Sequence, residues 1–187
     1  MNWDEKDDAQ QGIFAVHGDL DGEKNTEFQD REQFIGVIIG AEEFLMPISA
    51  VREIIMVPPI TFVPNALEHI DGVLNLRGTI IPAINMRKMM GIARGKQTAA
   101  NRIIIVRHEG MTFGMIVDGI TYVVALLPDE IENQTLPGKG TGAELIGSIS
   151  KQGSKICGIL DLQRVLKAAC GGEIMVDGDD GAQGDAA

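Results

Sequence analysis

The side chains able to perform acid–base, nucleophilic or metal chemistry are few in this sequence and lie far apart. The histidines His17, His69 and His108 have no motif neighbours, and Cys157 and Cys170 lack the paired spacing of a zinc site or a disulfide framework. Neither a G-x-S-x-G nucleophile motif nor a phosphate-binding glycine motif occurs. The sequence therefore predicts no catalytic residue, no cofactor and no metal site.

One arginine is of interest because of its position. In the stretch HIDGVLNLRGTIIPAINMRKMMG (69–91), Arg77 and Gly78 separate two runs of strand-forming residues, which predicts a hairpin turn. A guanidinium at a rigid strand end can pair bidentately with a carboxylate of a partner. Glu53, at the end of a helical turn predicted over 49–53, is the candidate to orient it. An ordinary solvated turn arginine remains the alternative.

The negative charge of the chain is concentrated at its two ends. The formal net charge is −11, of which residues 1–32 contribute −7 and residues 171–187 contribute −5, so that residues 33–170 are nearly neutral. Nucleic-acid binding requires a basic face, and a neutral middle argues against it. The apolar runs are far shorter than the ~20 residues that span a bilayer, so we expect a cytoplasmic protein that does not insert into membranes.

Between the acidic ends, short strands rich in β-branched residues dominate, and one helix is predicted. Segments such as FIGVIIG (34–40) and RIIIVRH (102–108) are broken by Gly, Pro and polar turns, which is typical of small barrels or a sandwich. Asp161 is the predicted N-cap of a helix over 162–170 that ends before Gly171. The ends, 1–32 and 171–187, are predicted to be disordered.

The sequence contains an internal repeat. Residues 34–54 align without gaps with 103–123, which places Phe44 on Phe113 and Val51 on Ile120. Residues 72–86 align with 147–162 after one inserted residue. Two similar β modules in tandem explain this pattern, and each is near the lower size limit for independent stability, so we expect them to share an interface.

At three aligned positions the first copy has a polar group that the second copy replaces. These pairs are Glu53 with Tyr122, Asn75 with Ser150, and Arg77 with Gln152. A residue that is needed only to close a barrel is needed in both copies. The three residues of the first copy are therefore functional candidates.

The residues around Arg77 resemble a known family. IDGVLNLRGTIIPAINMRKMMG is similar to the signature of CheW, the chemotaxis coupling protein, in which G-V-x-N-L-R-G-x-I-x-P-x-x-D-L-R is typical, and residues 34–72 resemble the segment before it. The likeness covers about residues 33–168. Asn85 stands where the family has Asp and Met86 where it has Leu, which weakens local capping without changing the expected fold.

The resemblance implies an all-β fold with two five-stranded SH3-like β-barrels related by an approximate two-fold axis, followed by a short C-terminal helix. The expected organisation is an acidic extension over 1–32, a CheW-like domain over 33–170 and an acidic tail over 171–187. Within the domain we expect barrel halves at roughly 33–90 and 102–161 and a helix at 162–170.

The resemblance also implies a function without catalysis. Such a protein bridges the cytoplasmic tip of methyl-accepting chemoreceptors to the regulatory CheW-like domain of the histidine kinase CheA, and is recruited to membrane-associated receptor arrays. By matching positions, Val51, Glu53, Gly72, Asn75 and Arg77 are the expected partner-binding residues. The alternatives left open are a scaffold of a non-flagellar pathway, for twitching or surface sensing, and a small β-barrel enzyme.

Overall fold

The computed structural model describes residues 31–93, 95–96, 98–133, 142–152 and 155–171. The predicted disorder of the two acidic ends thus lies outside the described residues, apart from the few residues that flank the domain. The strands are β1 (Glu32–Ile39), β2 (Glu42–Pro47), β3 (Val51–Met56), β4 (Ile70–Leu76), β5 (Thr79–Asn85), β6 (Arg102–His108), β7 (Met111–Val117), β8 (Gly119–Leu126), β9 (Ile131–Glu132), β10 (Ile146–Gln152) and β11 (Lys155–Leu160); the helices are α1 (Met86–Met89) and α2 (Leu162–Ala169).

Two sheets make up the fold. One has six strands in the order β8-β1-β2-β11-β10-β9, and the other has five strands in the order β3-β6-β7-β5-β4. Ile55 of β3 and Leu74 of β4, from the two end strands of the five-stranded order, pack in one apolar cluster, which indicates that the sheet curls around its own core. The predicted all-β architecture is confirmed, with the short β9 as an additional sixth strand in one sheet.

The composition of the sheets corrects the predicted barrel halves at 33–90 and 102–161. The six-stranded sheet combines β1 and β2 of the first repeat with β8 to β11 of the second, and the five-stranded sheet combines β3 to β5 with β6 and β7. Parallel pairings of β2 with β11 and of β5 with β7 join the two copies. Each barrel therefore contains strands of both repeats, because sequence similarity between copies does not specify which copy a strand pairs with.

The strand registers confirm the first alignment of the repeat and correct the second by one residue, because Asn75 pairs with Ile80 as Lys151 pairs with Ile156, so that Lys151 and not Ser150 is equivalent to Asn75. Val37 pairs with Ile120 in the six-stranded sheet, and Val106 pairs with Val51 in the five-stranded sheet. These two pairs superpose under the same shift that aligns 34–54 with 103–123. A β-bulge interrupts both ladders immediately beyond these pairs, so the two copies share even this irregularity.

The core explains why the strands read as continuous apolar runs. In β6, Ile103 and Ile105 face the interior of the five-stranded sheet, whereas Ile104 and Val106 belong to a larger cluster that also contains Val37 of β1. We call this larger cluster the central cluster. Because both faces of such strands are buried, the usual alternation of apolar and polar residues is absent.

Helix α2 forms as predicted. The Asp161 carboxylate accepts hydrogen bonds from the backbone amides of Gln163 and Arg164 at 3.0 and 3.1 Å, as an N-cap does. Val165 and Leu166 are buried in the central cluster. The helix ends at Ala169, and Gly171 follows with φ of +72°, a conformation that glycine adopts without strain.

Candidate functional site

Arg77 and Gly78 form the turn between β4 and β5. Leu76 pairs with Thr79, so the loop has two residues, and both have positive φ, 52° for Arg77 and 89° for Gly78. This is the geometry of a type I′ turn, whose twist matches that of the flanking strands. An arginine adopts this conformation at a cost of roughly 1–2 kcal/mol, which makes Arg77 a candidate for a functional role.

The Arg77 guanidinium is held by a carboxylate from another strand. Its Nη2 donates to Oε2 of Glu53 at 2.9 Å, and the arginine side chain is 81% exposed whereas the glutamate side chain is 27% exposed. A pair this exposed contributes at most about 1 kcal/mol. Its effect is to orient the guanidinium, as predicted, while its other N–H groups remain available to a partner.

The position of Glu53 in the fold differs from the prediction. The expected helical turn over 49–53 is a 3-10 turn at Ile48–Ala50, after which β3 begins at Val51. Glu53 thus lies within a strand, and β3 and β4 are the two ends of the five-stranded order. The contact with Arg77 therefore links β3 to the turn that follows β4, the other end strand of the curled sheet.

Asn75 supports the turn that presents Arg77. Its side-chain Oδ1 accepts a hydrogen bond from the Gly78 amide at 2.8 Å. The residue is exposed and lies opposite Ile80 in the hairpin. Asn75 therefore stabilises the turn and contributes to the surface beside Arg77.

Gly72 and Val51 lie in strands β4 and β3 and are less exposed than Asn75 and Arg77. At Gly72, φ is +143° and a Cβ atom would lie 2.1 Å from the Thr61 carbonyl oxygen, because Thr61 and Val73 exchange two backbone hydrogen bonds of 2.8 Å. Val51 is half-buried and packs against the central cluster. Of the five predicted residues, Glu53, Asn75 and Arg77 are the ones with polar side-chain groups at the hairpin.

The sequence interpretation missed two exposed apolar residues, Ile54, which follows Glu53 in β3, and Ile80, which lies opposite Asn75 in the hairpin. Ile54 and Ile80 are 39% and 61% exposed, although both are large and apolar. Their neighbours Ile55 and Ile81 pack inside the barrel, so Ile54 and Ile80 point outward. Every second residue of β3 is exposed. The apolar run EIIMV does not reveal this alternation. We call Glu53, Ile54, Asn75, Arg77 and Ile80 the docking edge.

A cavity elsewhere bears on the alternative of an enzyme. It has a volume of about 570 Å³ and is lined by residues that include Glu32, His108 and Asp161. The Asp161 carboxylate is committed to capping α2 and to an ion pair with Arg164 at 3.1 Å. His108 Nε2 is buried and finds no hydrogen-bond partner among the described residues. Within the described part of the cavity lining, no hydrogen bond joins His108 Nε2 to a serine.

Two further properties concern the described residues. They contain no group of three or more His, Cys, Asp or Glu side chains arranged to hold a metal ion. Within the same part of the chain, no helix has both the length and the apolar character required to cross a bilayer.

The fold and the docking edge define a class of duplicated β-barrel proteins with a charged, partly apolar surface at one hairpin. A family model described as the CheW-like domain matches residues 33–170. The chain belongs to the CheW-like family.

Several similar proteins share this assignment. The chain is 32% identical to the chemotaxis protein CheW of Helicobacter pylori over 78% of this chain and 88% of that protein. It is 29% identical to the chemotaxis protein CheW of Bacillus subtilis over 75% and 90%. A solved structure of the scaffolding protein TtCheW from Thermoanaerobacter tengcongensis has a TM-score of 0.65 at 30% identity, over 70% of this chain and 89% of that one.

Proposed function

We propose that this protein is a non-enzymatic adaptor that couples methyl-accepting chemoreceptors to the histidine kinase CheA. Its similarity to chemotaxis and scaffolding proteins supports a scaffold in chemotaxis rather than an enzyme. The docking edge supports the coupling role, because Arg77 is exposed at a rigid turn and is oriented by Glu53. That ion pair is the single observation on which the proposal depends most.

The docking edge has the composition of a protein-binding surface. Arginine is enriched at the energetically important positions of interfaces, and an apolar centre with a polar rim is typical. Ile54 and Ile80 supply the apolar centre and Arg77 the charged group. We assign this surface to the CheW-like regulatory domain of the kinase, and we place the receptor tip in the groove between the two barrels.

Coupling of this kind requires no chemical step. An adaptor that holds a receptor and a kinase together raises their effective concentration. It also shifts the kinase equilibrium if it binds two kinase conformations with different affinity. In this proposal the adaptor is cytoplasmic and joins receptor arrays at the membrane through these contacts alone.

The experiment is a pull-down of kinase and receptor fragments with the Arg77→Glu variant. We expect a loss of kinase binding of at least about tenfold, equivalent to about 1.4 kcal/mol, at an unchanged midpoint of thermal unfolding. The matched control is Arg164→Glu, which also breaks an ion pair with a carboxylate but lies far from the docking edge. Equal binding by Arg77→Glu and the wild-type chain overturns the assignment of the kinase surface.

A further inference from the structure

Asp118 links the two sheets at the point where the chain passes from β7 to β8. Its carboxylate accepts from Arg87 Nε at 2.8 and 2.7 Å, from the Gly40 amide at 2.6 Å and from Asn101 Nδ2 at 3.2 Å. Arg87 lies in α1, directly after β5 of the five-stranded sheet, whereas Gly40 lies in the turn after β1 of the six-stranded sheet. A single carboxylate therefore ties both sheets together.

This ion pair is better protected than the one at the docking edge. The side chains of Arg87 and Asp118 are 25% and 17% exposed. Partly buried and multiply hydrogen-bonded charges interact more strongly than exposed ones and have well-defined geometry. We expect this side of the interface between the sheets to be rigid.

The repeat places different residues at the equivalent point on the opposite side. The shift of 34–54 onto 103–123 puts Ser49 in the place of Asp118, and the shift of 84–86 onto 160–162 puts Gln163 in the place of Arg87. Gln163 donates instead to Oε1 of Glu109 at 3.1 Å, and both groups are exposed. Serine and glutamine carry no charge, so these two positions do not form a counterpart of the Arg87–Asp118 ion pair.

The cavities on the two sides of the interface between the sheets also differ in volume. A cavity of about 270 Å³ is lined by Arg87 and Asp118, and the cavity of about 570 Å³ is lined by Ser49 and His108. Several lining residues of the two are equivalent under the repeat: Asn85 and Asp161, Asn101 and Glu32, Ile116 and Pro47, and Asp118 and Ser49. The larger space thus lies on the side without the ion pair.

The larger cavity's side is held by apolar packing and by one exposed hydrogen bond between uncharged and charged groups. Helix α2 packs Val165 and Leu166 into the central cluster, and Gln163 donates to Glu109 at 3.1 Å. Apolar contacts are non-directional, so packed helices can slide by small amounts where directional ion pairs are absent.

We propose that the Arg87–Asp118 ion pair is a fixed pivot between the two sheets, and that the Ser49 side opens and closes about it. Without these differences between the copies, the repeat would give two equivalent sides of the interface between the sheets. A partner that contacts both sheets then biases one opening over another. This inference concerns the motion of the domain itself and does not depend on which partner binds.

The test measures the distance between the two sheets in solution. Spin labels are placed at Met56→Cys in β3 and Ile156→Cys in β11, which are 76% and 65% exposed, in a Cys170→Ser background that leaves only the buried Cys157. Pulsed electron resonance then gives the distribution of label separations. We expect Arg87→Gln to broaden this distribution relative to the parent.

The matched control is Arg164→Gln, which removes an ion pair with Asp161 that does not cross between the sheets. We expect the distribution of label separations in Arg164→Gln to equal that of the parent, even if both variants lower the midpoint of thermal unfolding by the same amount. Equal broadening by both variants, or none by Arg87→Gln, overturns the proposal.

A second variant tests the pivot by addition rather than removal. The double variant Ser49→Asp with Gln163→Arg is designed to place a second ion pair on the Ser49 side. We expect this variant to have a narrower distribution of label separations than the parent. The control is Ser49→Asn with Gln163→Lys, which has neither the carboxylate nor the guanidinium, and we expect its distribution to equal that of the parent. A transferred pair that stabilises the fold without narrowing the distribution also contradicts the pivot.

Discussion

Ile80 in β5 and Ile156 in β11 occupy equivalent positions in the two barrels and are almost equally exposed, at 61% and 65%. Ile80 lies opposite Asn75 and near Arg77 in the hairpin, whereas Ile156 lies opposite Lys151, and the position aligned with Glu53 holds Tyr122. The two residues therefore separate the effect of an exposed apolar side chain from the effect of its surroundings.

We predict that Ile80→Ser weakens binding of the kinase regulatory domain about tenfold, because an apolar contact at the centre of an interface is worth about 1–2 kcal/mol. Titration calorimetry measures the change. Ile156→Ser is the control, and both variants are expected to unfold within about 0.5 kcal/mol of the wild-type chain because the side chains are exposed. If Ile156→Ser weakens binding as much, the docking edge is not the kinase surface.

Gly72→Ala is predicted to destabilise the domain by about 3 kcal/mol or more. Alanine is strained at φ of +143°, and its Cβ would collide with the Thr61 carbonyl oxygen at 2.1 Å, where only backbone movement can relieve it. Urea unfolding measures the loss. Gly78→Ala is the matched comparison, since its φ of +89° faces open space, and we expect a loss of only about 1 kcal/mol there.

The two free thiols provide a direct check on the packing of β11 and α2. Cys157 is buried and Cys170 is exposed just after α2. A thiol-specific reagent is therefore expected to modify one cysteine per folded chain rapidly and the second only after denaturation, because access limits the reaction. Rapid modification of Cys157 in the Cys170→Ser variant would show that the core of the six-stranded sheet is open.

Most of the fold could be predicted from the sequence because the repeat is visible in short stretches of it. The alignment of Phe44 with Phe113 and of Val51 with Ile120 returns as equivalent strand registers. The pairing of strands from different copies was not predictable in this way, because the apolar residues of β3 could pack equally well against a strand of either copy. Which pairing forms depends on burying the central cluster, and that is a property of the whole chain.

The candidate site was predicted in part for a related reason. Arg77, Asn75 and Glu53 were identifiable from the sequence alignment of the two copies, although the strand registers place Lys151, and not the aligned Ser150, in the position of Asn75. Ile54 and Ile80 were not, because an apolar residue in a strand reads as core until its neighbours are known to face inward. Gly72 was expected to be a binding residue, and the structure also shows a backbone requirement there, which depends on the bridge to Thr61 in the segment between β3 and β4.

Asp161→Ala is predicted to reduce stability by about 1 kcal/mol through loss of the N-cap of α2. The carboxylate accepts from the amides of Gln163 and Arg164, and the helix buries Val165 and Leu166 in the central cluster, so loss of the cap weakens the contact of α2 with both sheets. Thermal unfolding and amide hydrogen exchange over 162–169 measure the effect. Asp161→Asn retains an oxygen acceptor and is expected to recover most of the loss, whereas Asp161→Ala and Asp161→Asn with the same stability would mean that the ion pair with Arg164, and not the cap, is the stabilising contact.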